Sequence, residues 1–200
     1  MTQRIRRVLA LVLFVVPSTV LAATWEIDPS HSAATFAVRH MMITNVKGEF
    51  GKLSGTVELD DKDATKSKVE ATIDATTINT REPKRDGHLK TADFFDVQKH
   101  PNLIFKSKKI VKAGANRLKV TGDLTMRGVT KEVVLDVETT NEAKDPYGNT
   151  RRGATATTKL NRTDWGLKWN QALEAGGVLV GEEVQVFIDL SLVKKGAQKS

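Results

Sequence analysis

A chain of 200 residues has room for one domain and a short appendage, and with no cysteine it can hold neither a disulfide nor a thiolate metal site. Its formal charge of +7 comes from 31 basic and 24 acidic residues. Three of those arginines (Arg4, Arg6 and Arg7) fall in the first 23 residues, which contain no acid, so the remainder carries only +4 and gives little reason to expect a nucleic-acid partner.

Residues 1–23 have the form of a secretory signal peptide. The three arginines make a positive start, Val8 to Val16 a short apolar core, and Val20-Leu21-Ala22-Ala23 a small-residue cleavage site, with cleavage expected after Ala22 or Ala23. The apolar run is too short for an ordinary transmembrane helix. Arg6-Arg7 would suit the twin-arginine route, but the very apolar core that follows favours the general secretory one. A periplasmic protein is expected, with its domain over residues 24–193 and a disordered basic tail over 194–200.

Trp25 to Pro29 reads as a short extended lead-in. From Ala33 to Met41 the chain alternates, with Ala34, Phe36, Val38 and His40 on one face, and Val46, Gly48 and Phe50 continue the pattern. The phase then slips to Leu53, Gly55, Val57 and Leu59, as a bulge at Gly51-Lys52 would produce. Val69, Ala71, Ile73 and Ala75 give the next strand. Arg81 to Asp96 breaks the rhythm, with Pro83 near its start and apolar residues at three- and four-residue spacings, which predicts a short helix and a loop.

Strands resume at Leu103 to Ile110, and the clearest signal in the chain follows. Leu118, Val120, Gly122, Leu124 and Met126 alternate with polar residues. Across Arg127-Gly128, Val133, Leu135 and Val137 do the same, which predicts an antiparallel hairpin. Asp145 to Asn149 is a turn, Ala154, Ala156, Thr158 and Leu160 form a strand of small residues, and Val184 to Leu192 forms the last strand with Phe187 outside. The sum is eight one-sided antiparallel strands with one helical excursion between strands 3 and 4. A flattened sandwich fits this pattern, but an eight-stranded lipocalin-like β-barrel fits it better because closure removes the sheet edges. Small inward residues (Ala34, Gly48, Gly55, Ala71, Ala75, Gly122, Ala154, Ala156) suggest a lumen with free length. Strand glycines that merely relieve twist are the alternative.

Several segments together resemble the YceI-like family. They are Trp25 to Ser32, Val38-Arg39-His40, Val46 to Phe50, Arg85 to Leu89, Asp93 to Asp96, His100-Pro101, Phe105 to Ser107, Gly122 to Thr130 and Asn161 to Gly166, the last with Trp165 where phenylalanine is usual. The resemblance implies an exported lipocalin-like barrel that holds a polyisoprenoid or similar long-chain amphiphile. It also implies no established catalytic residue, no cofactor and frequent homodimers. Fusion of some relatives to cytochrome b-type membrane proteins points to quinones and to contact with a membrane protein.

On this basis the expected ligand-binding residues are Phe36, Val38, His40, Phe50, Leu124, Met126, Val133, Leu135, Val186 and Ile188, with Trp165 covering the barrel mouth beside Trp169. Arg81, Arg85 and His88 are candidate head-group contacts, since arginine suits phosphate. An Arg85–Asp86 pair that fixes the excursion to the barrel is the structural alternative. Lys106, Lys108, Lys109 and Lys112 form a basic stripe suited to an anionic membrane surface, or else a solvated edge. The histidines show no tight metal-ligand spacing, so no metal is expected. Asp28, Ser30 and His31 are read as too crowded along one extended segment to face each other. A metal-assisted hydrolase using His31, His40 and His88 is the competing function, and a lipid-free interaction module the third.

Overall fold

The computed structural model describes residues 22–60, 62–174 and 176–196. The signal-peptide expectation lies almost wholly outside these residues, as does the end of the tail. The strands are β1 (Ala23–Ile27), β2 (Ala33–His40), β3 (Thr44–Phe50), β4 (Leu53–Leu59), β5 (Lys68–Asp74), β6 (Ile78–Asn79), β7 (Asn102–Lys112), β8 (Arg117–Met126), β9 (Val129–Thr139), β10 (Ala143–Lys144), β11 (Thr150–Asn161) and β12 (Val180–Lys194). They form one sheet in the order β10-β11-β9-β8-β7-β5-β4-β1-β12-β2-β3-β6, and a further β11–β12 pairing closes it into a ring.

Three of the ring's members are long strands broken by kinks. β1 and β2 run on either side of Asp28–Ser32, and both pair with β12. β3 and β4 are split at Gly51-Lys52, where the phase of the sequence slips, and β5 and β6 by a 3-10 turn at Ala75–Thr77. With these joined, eight antiparallel strands go round in chain order, and β10 is a short outer appendage to β11. No strand of that ring is left with an unpaired edge over its whole length. The segment expected to be a mere lead-in is therefore half of the first barrel strand. Its Trp25 is fully buried.

Local chemistry fixes the ends. At the β8–β9 turn Arg127 and Gly128 both have positive φ (51° and 73°), the primed turn that matches strand twist. Met126 pairs directly with Val129. Helix α1 (Pro83–Leu89) starts with proline in its first turn, and the Glu82 side chain accepts the Arg85 amide at 3.0 Å. With so few residues it depends on packing, and Leu89 packs against a buried cluster at the barrel end.

The registers sort the connections into two ends. The helix end carries α1, the β2–β3 and β8–β9 turns and residues 162–174 and 176–179. The terminal end carries the start of β1, the end of β12 and the excursion between β9 and β11. One buried cluster (Phe94, Met126, Trp165 and Leu167 among others) fills the helix end, and a second around Trp25, Val57 and Leu192 lies toward the terminal end. β12 continues through Lys194, and the Lys195 amide donates to Thr24 O at 2.8 Å, so the strand outlasts the expected domain boundary.

A candidate ligand-binding channel

Within the ring lies a cavity of about 260 Å³ whose wall is almost entirely carbon. Phe36, Val38, Phe50, Leu124, Met126, Val133, Leu135, Val186 and Ile188 are all placed on it. On β12 the lining includes Val180 and, past a register irregularity, alternates without a break from Val184 to Leu192, and that regular stretch alone is about 26 Å of strand at roughly 3.3 Å per residue, or about 20 Å along a barrel axis tilted by 35–45°. That volume over that length makes a slender channel.

Two expected lining residues lie elsewhere. His40 is the last residue of β2, paired with Thr44 and Val180, and its side chain does not line the channel although Val180 does. Trp165 is buried in the cluster that closes the helix end, and its indole donates to Leu124 O at 3.0 Å. It does not share a helical face with Trp169, because the 3-10 turn Arg162–Trp165 ends at Gly166 in the left-handed region. Trp169 instead meets the rings of His88 and Phe94, at 4.8 and 5.5 Å between centroids.

The small residues divide into two kinds. Ala34, Ala71, Ala154 and Ala156 line the channel and leave it width. Gly48 and Gly122 do not create open space, because a Cβ at either would collide with the ring of Phe36 or Phe105. Each glycine is the seat of a neighbouring aromatic ring, a pairing also used to pin register in sheets.

The expected head-group residues do not converge on the channel. Arg81 is exposed, with its backbone in the left-handed region. Arg85 spends Nε and Nη2 on Thr80 Oγ1 and O, at 2.7 and 2.8 Å, while Asp86 accepts from Thr80 N and Oγ1. Arg85 and Asp86 thus both hold Thr80 and do not pair with each other. His88 bonds Asp93 through Nε2 at 2.9 Å. This segment reaches the channel through Leu89, Phe94 and Phe95.

Two arginines unforeseen from the sequence do line it, Arg152 and Arg162. Arg162 is buried and directs its guanidinium at backbone carbonyls only, with Nε to Gly181 at 2.9 Å, Nη1 to Leu167 and to Trp169, and Nη2 to Val180 at 3.2 Å. Burial lowers its pKa. It acts as a peg joining residues 167–169 to the start of β12. The signal was available, since Arg152 and Arg162 continue the inward phase of Ala154, Ala156, Thr158 and Leu160.

Asp28, Ser30 and His31 correct another expectation, because the kink between β1 and β2 brings them together. Ser30 Oγ donates to Asp28 Oδ1 at 2.6 Å, and His31 Nδ1 lies 2.8 Å from Asp28 Oδ2 and 3.0 Å from Ser30 Oγ. Both contacts use the same ring nitrogen, so the imidazole cannot relay a proton from serine to aspartate as a triad does. Arg151 bridges Asp28 and Asp145 at 2.6 and 2.7 Å, and this pairing holds both carboxyls well below the usual range. His31 lies in the kink before β2 and His40 ends that strand, roughly 25 Å apart at the rise of a strand. Among the described residues no three acids or histidines are grouped to hold a metal ion. The basic stripe is partly neutralised, with Lys106 near Glu70 and Lys108 bonded to Asp123 and Glu132.

Comparison with known proteins agrees with this architecture. The YceI-like domain model matches residues 25–192. A UPF0312 protein of Staphylococcus aureus (strain N315) is 38% identical over 159 residues, which span 79% of this chain and 90% of that protein. The crystal structure of the Campylobacter jejuni YCEI protein is 30% identical, with a TM-score of 0.65, covering 78% of this chain and 90% of that one. A domain from Saccharophagus degradans described as polyisoprenoid binding shares the fold at 16% identity and a TM-score of 0.63, over 88% of this chain and 99% of that one.

Proposed function

The chain belongs to the YceI-like family, and from that premise we propose that it is a non-enzymatic binding protein that carries one isoprenoid-type lipid, such as a quinone, in its barrel. Export through the signal peptide at residues 1–23 would place this activity in the periplasm.

The observation that carries the reading is the continuous apolar channel inside a closed sheet. A ligand taken up there gains its affinity from area, because the wall offers almost nothing else. Ten buried carbons contribute about 8 kcal/mol gross at about 0.8 kcal/mol each, which corresponds to micromolar binding before the cost of ordering a flexible tail. The volume falls just below that of most small-molecule sites, which run from about 300 to 1,000 Å³, so a single unbranched or methyl-branched thread suits it better than a fused ring. The Phe36, Phe50 and Phe95 rings form a chain of contacts inside it, at 5.7 and 5.8 Å between centroids, and their rotation is the simplest way to lengthen the channel. The polyisoprenoid-binding domain of S. degradans, which shares the fold, supports the same ligand class.

Displacement of a fluorescent polyene by an isoprenoid alcohol tests the reading. Saturable one-to-one displacement is expected, and no displacement at micromolar concentrations refutes it.

A further inference from the structure

We propose that the terminal end of the channel is a head-group site for an anion, in which Arg152 and Lys194 receive the phosphate or carboxylate of the lipid while its tail runs toward Phe94. This rests on the reading of the channel as a lipid site, and it fixes which way round the ligand lies.

Register puts both cations inside the barrel. Arg152 pairs with Leu192 and is in phase with Ala154 and Ala156, and Lys194 pairs with Trp25 and is in phase with Leu190 and Leu192. In a strand such residues share a face, so two positive charges stand within the rim of a carbon-lined tube. Charges in that position are costly unless something anionic meets them.

Both are held over one platform. The Arg152 guanidinium lies 5.7 Å, and the Lys194 ammonium 5.3 Å, from the Trp25 ring centroid. The indole is wholly buried, so its quadrupole orients both cations before any ligand arrives. Glu142 is the acid beside them, its Oε1 at 3.7 Å from each, which is an ion pair but longer than a hydrogen bond. One carboxylate against two cations leaves a net positive charge, and an incoming anion would compete with Glu142 for it. Arg152 Nε and Trp25 Nε1 are buried with no hydrogen-bond partner among the described residues. Buried donors in native proteins are nearly always paired, so two adjacent orphans call for an acceptor-rich group.

The helix end differs in kind. There Arg162 has its donors spent on carbonyls, and Phe94, Trp165 and Leu167 close the channel with carbon. At the terminal end a quarter of the Arg152 side chain and a third of that of Lys194 remain exposed, so a charged head can keep part of its hydration. Arginine's planar fork fits phosphate and carboxylate, and the lysine adds charge.

The test uses probes with identical tails, farnesol and farnesyl monophosphate, in displacement titrations at low and high salt. The protein should bind the phosphate about 10- to 100-fold more tightly, as expected for charge-assisted hydrogen bonds. The preference should shrink with salt. R152Q and K194Q should each reduce it, and the double variant should abolish it, read as the ratio of the two probes' affinities in the same protein. R152K, which keeps charge but loses the fork, should fall between. Equal binding of both probes by the unmodified protein overturns the head-group site and leaves the channel reading intact. A preference that survives in folded R152Q/K194Q overturns the assignment to these residues. Failure of both probes to bind overturns the channel reading itself.

Discussion

Replacing Ala156 by leucine separates a hollow barrel from a solid one by the sign of the effect. Ala156 lies on β11 between Val137 and Ile188, buried and on the channel wall. Leucine adds three carbons, about 2.4 kcal/mol of gross burial at about 0.8 kcal/mol each, less about 0.5–1 kcal/mol for ordering the side chain. In an open channel the net gain is about 1.5 kcal/mol, which raises Tm by about 3–6 °C in a domain of this size. In a filled interior the same change overpacks and costs about 1–3 kcal/mol. The carbons that stabilise the protein also take the place of ligand, so isoprenoid affinity should fall about 50-fold, the equivalent of about 2.4 kcal/mol. Calorimetry on lipid-stripped protein, paired with polyene displacement, reads both quantities. A Tm that falls by several degrees while binding is unchanged would refute the hollow channel.

Other substitutions probe the supports of that channel. Gly128→Ala forces an L-residue to φ 73° and sets a Cβ 2.8 Å from His100 Cε1, and should cost about 1–3 kcal/mol by thermal melt. Gly148→Ala, at φ 88° with nothing near, should cost less, and equal losses would discount the His100 contact. Arg162→Met leaves the carbonyls of Leu167, Trp169 and Gly181 without this donor, while Val180 O keeps Asn170 Nδ2, and should cost about 3–5 kcal/mol at about 1–3 kcal/mol per unsatisfied group. It should also speed amide exchange at residues 166–174, and unchanged exchange there would contradict the peg. Because Arg151 depresses the pKa values of Asp28 and Asp145, their contribution to stability is present above the ordinary carboxylate pKa near 4. It is lost only as pH falls through the depressed folded values. Arg151→Gln should return both carboxyls toward the ordinary range and move acid unfolding to higher pH, as carboxylate NMR titration and pH melts would show.

The hairpin over residues 117–139 was legible because two long alternating runs flank a turn that needs positive φ. The kink at Gly51-Lys52 was legible as a slip of phase. β1 was not, since five residues are too few to show a period and the partner strands lie over thirty and over one hundred and sixty residues away. The glycines misled for a related reason. Whether a strand glycine leaves a void or seats a ring depends on the aromatic across from it, and that pairing exists only once register is set. The inward arginines run against the general preference of charge for the surface, although their phase with Ala154 and Ala156 is visible in the sequence. The Asp28–Ser30–His31 grouping needed the β1–β2 kink, which no local signal beyond Pro29 announced.

A barrel that encloses a lipid should carry it through purification, and native mass spectrometry of the protein purified without detergent, followed by solvent extraction, reads this. The expected spectrum has a mass above that of the polypeptide, one long-chain lipid per chain, that disappears on extraction and returns when an isoprenoid is added. A bare polypeptide mass that no added isoprenoid changes would contradict an enclosed lipid.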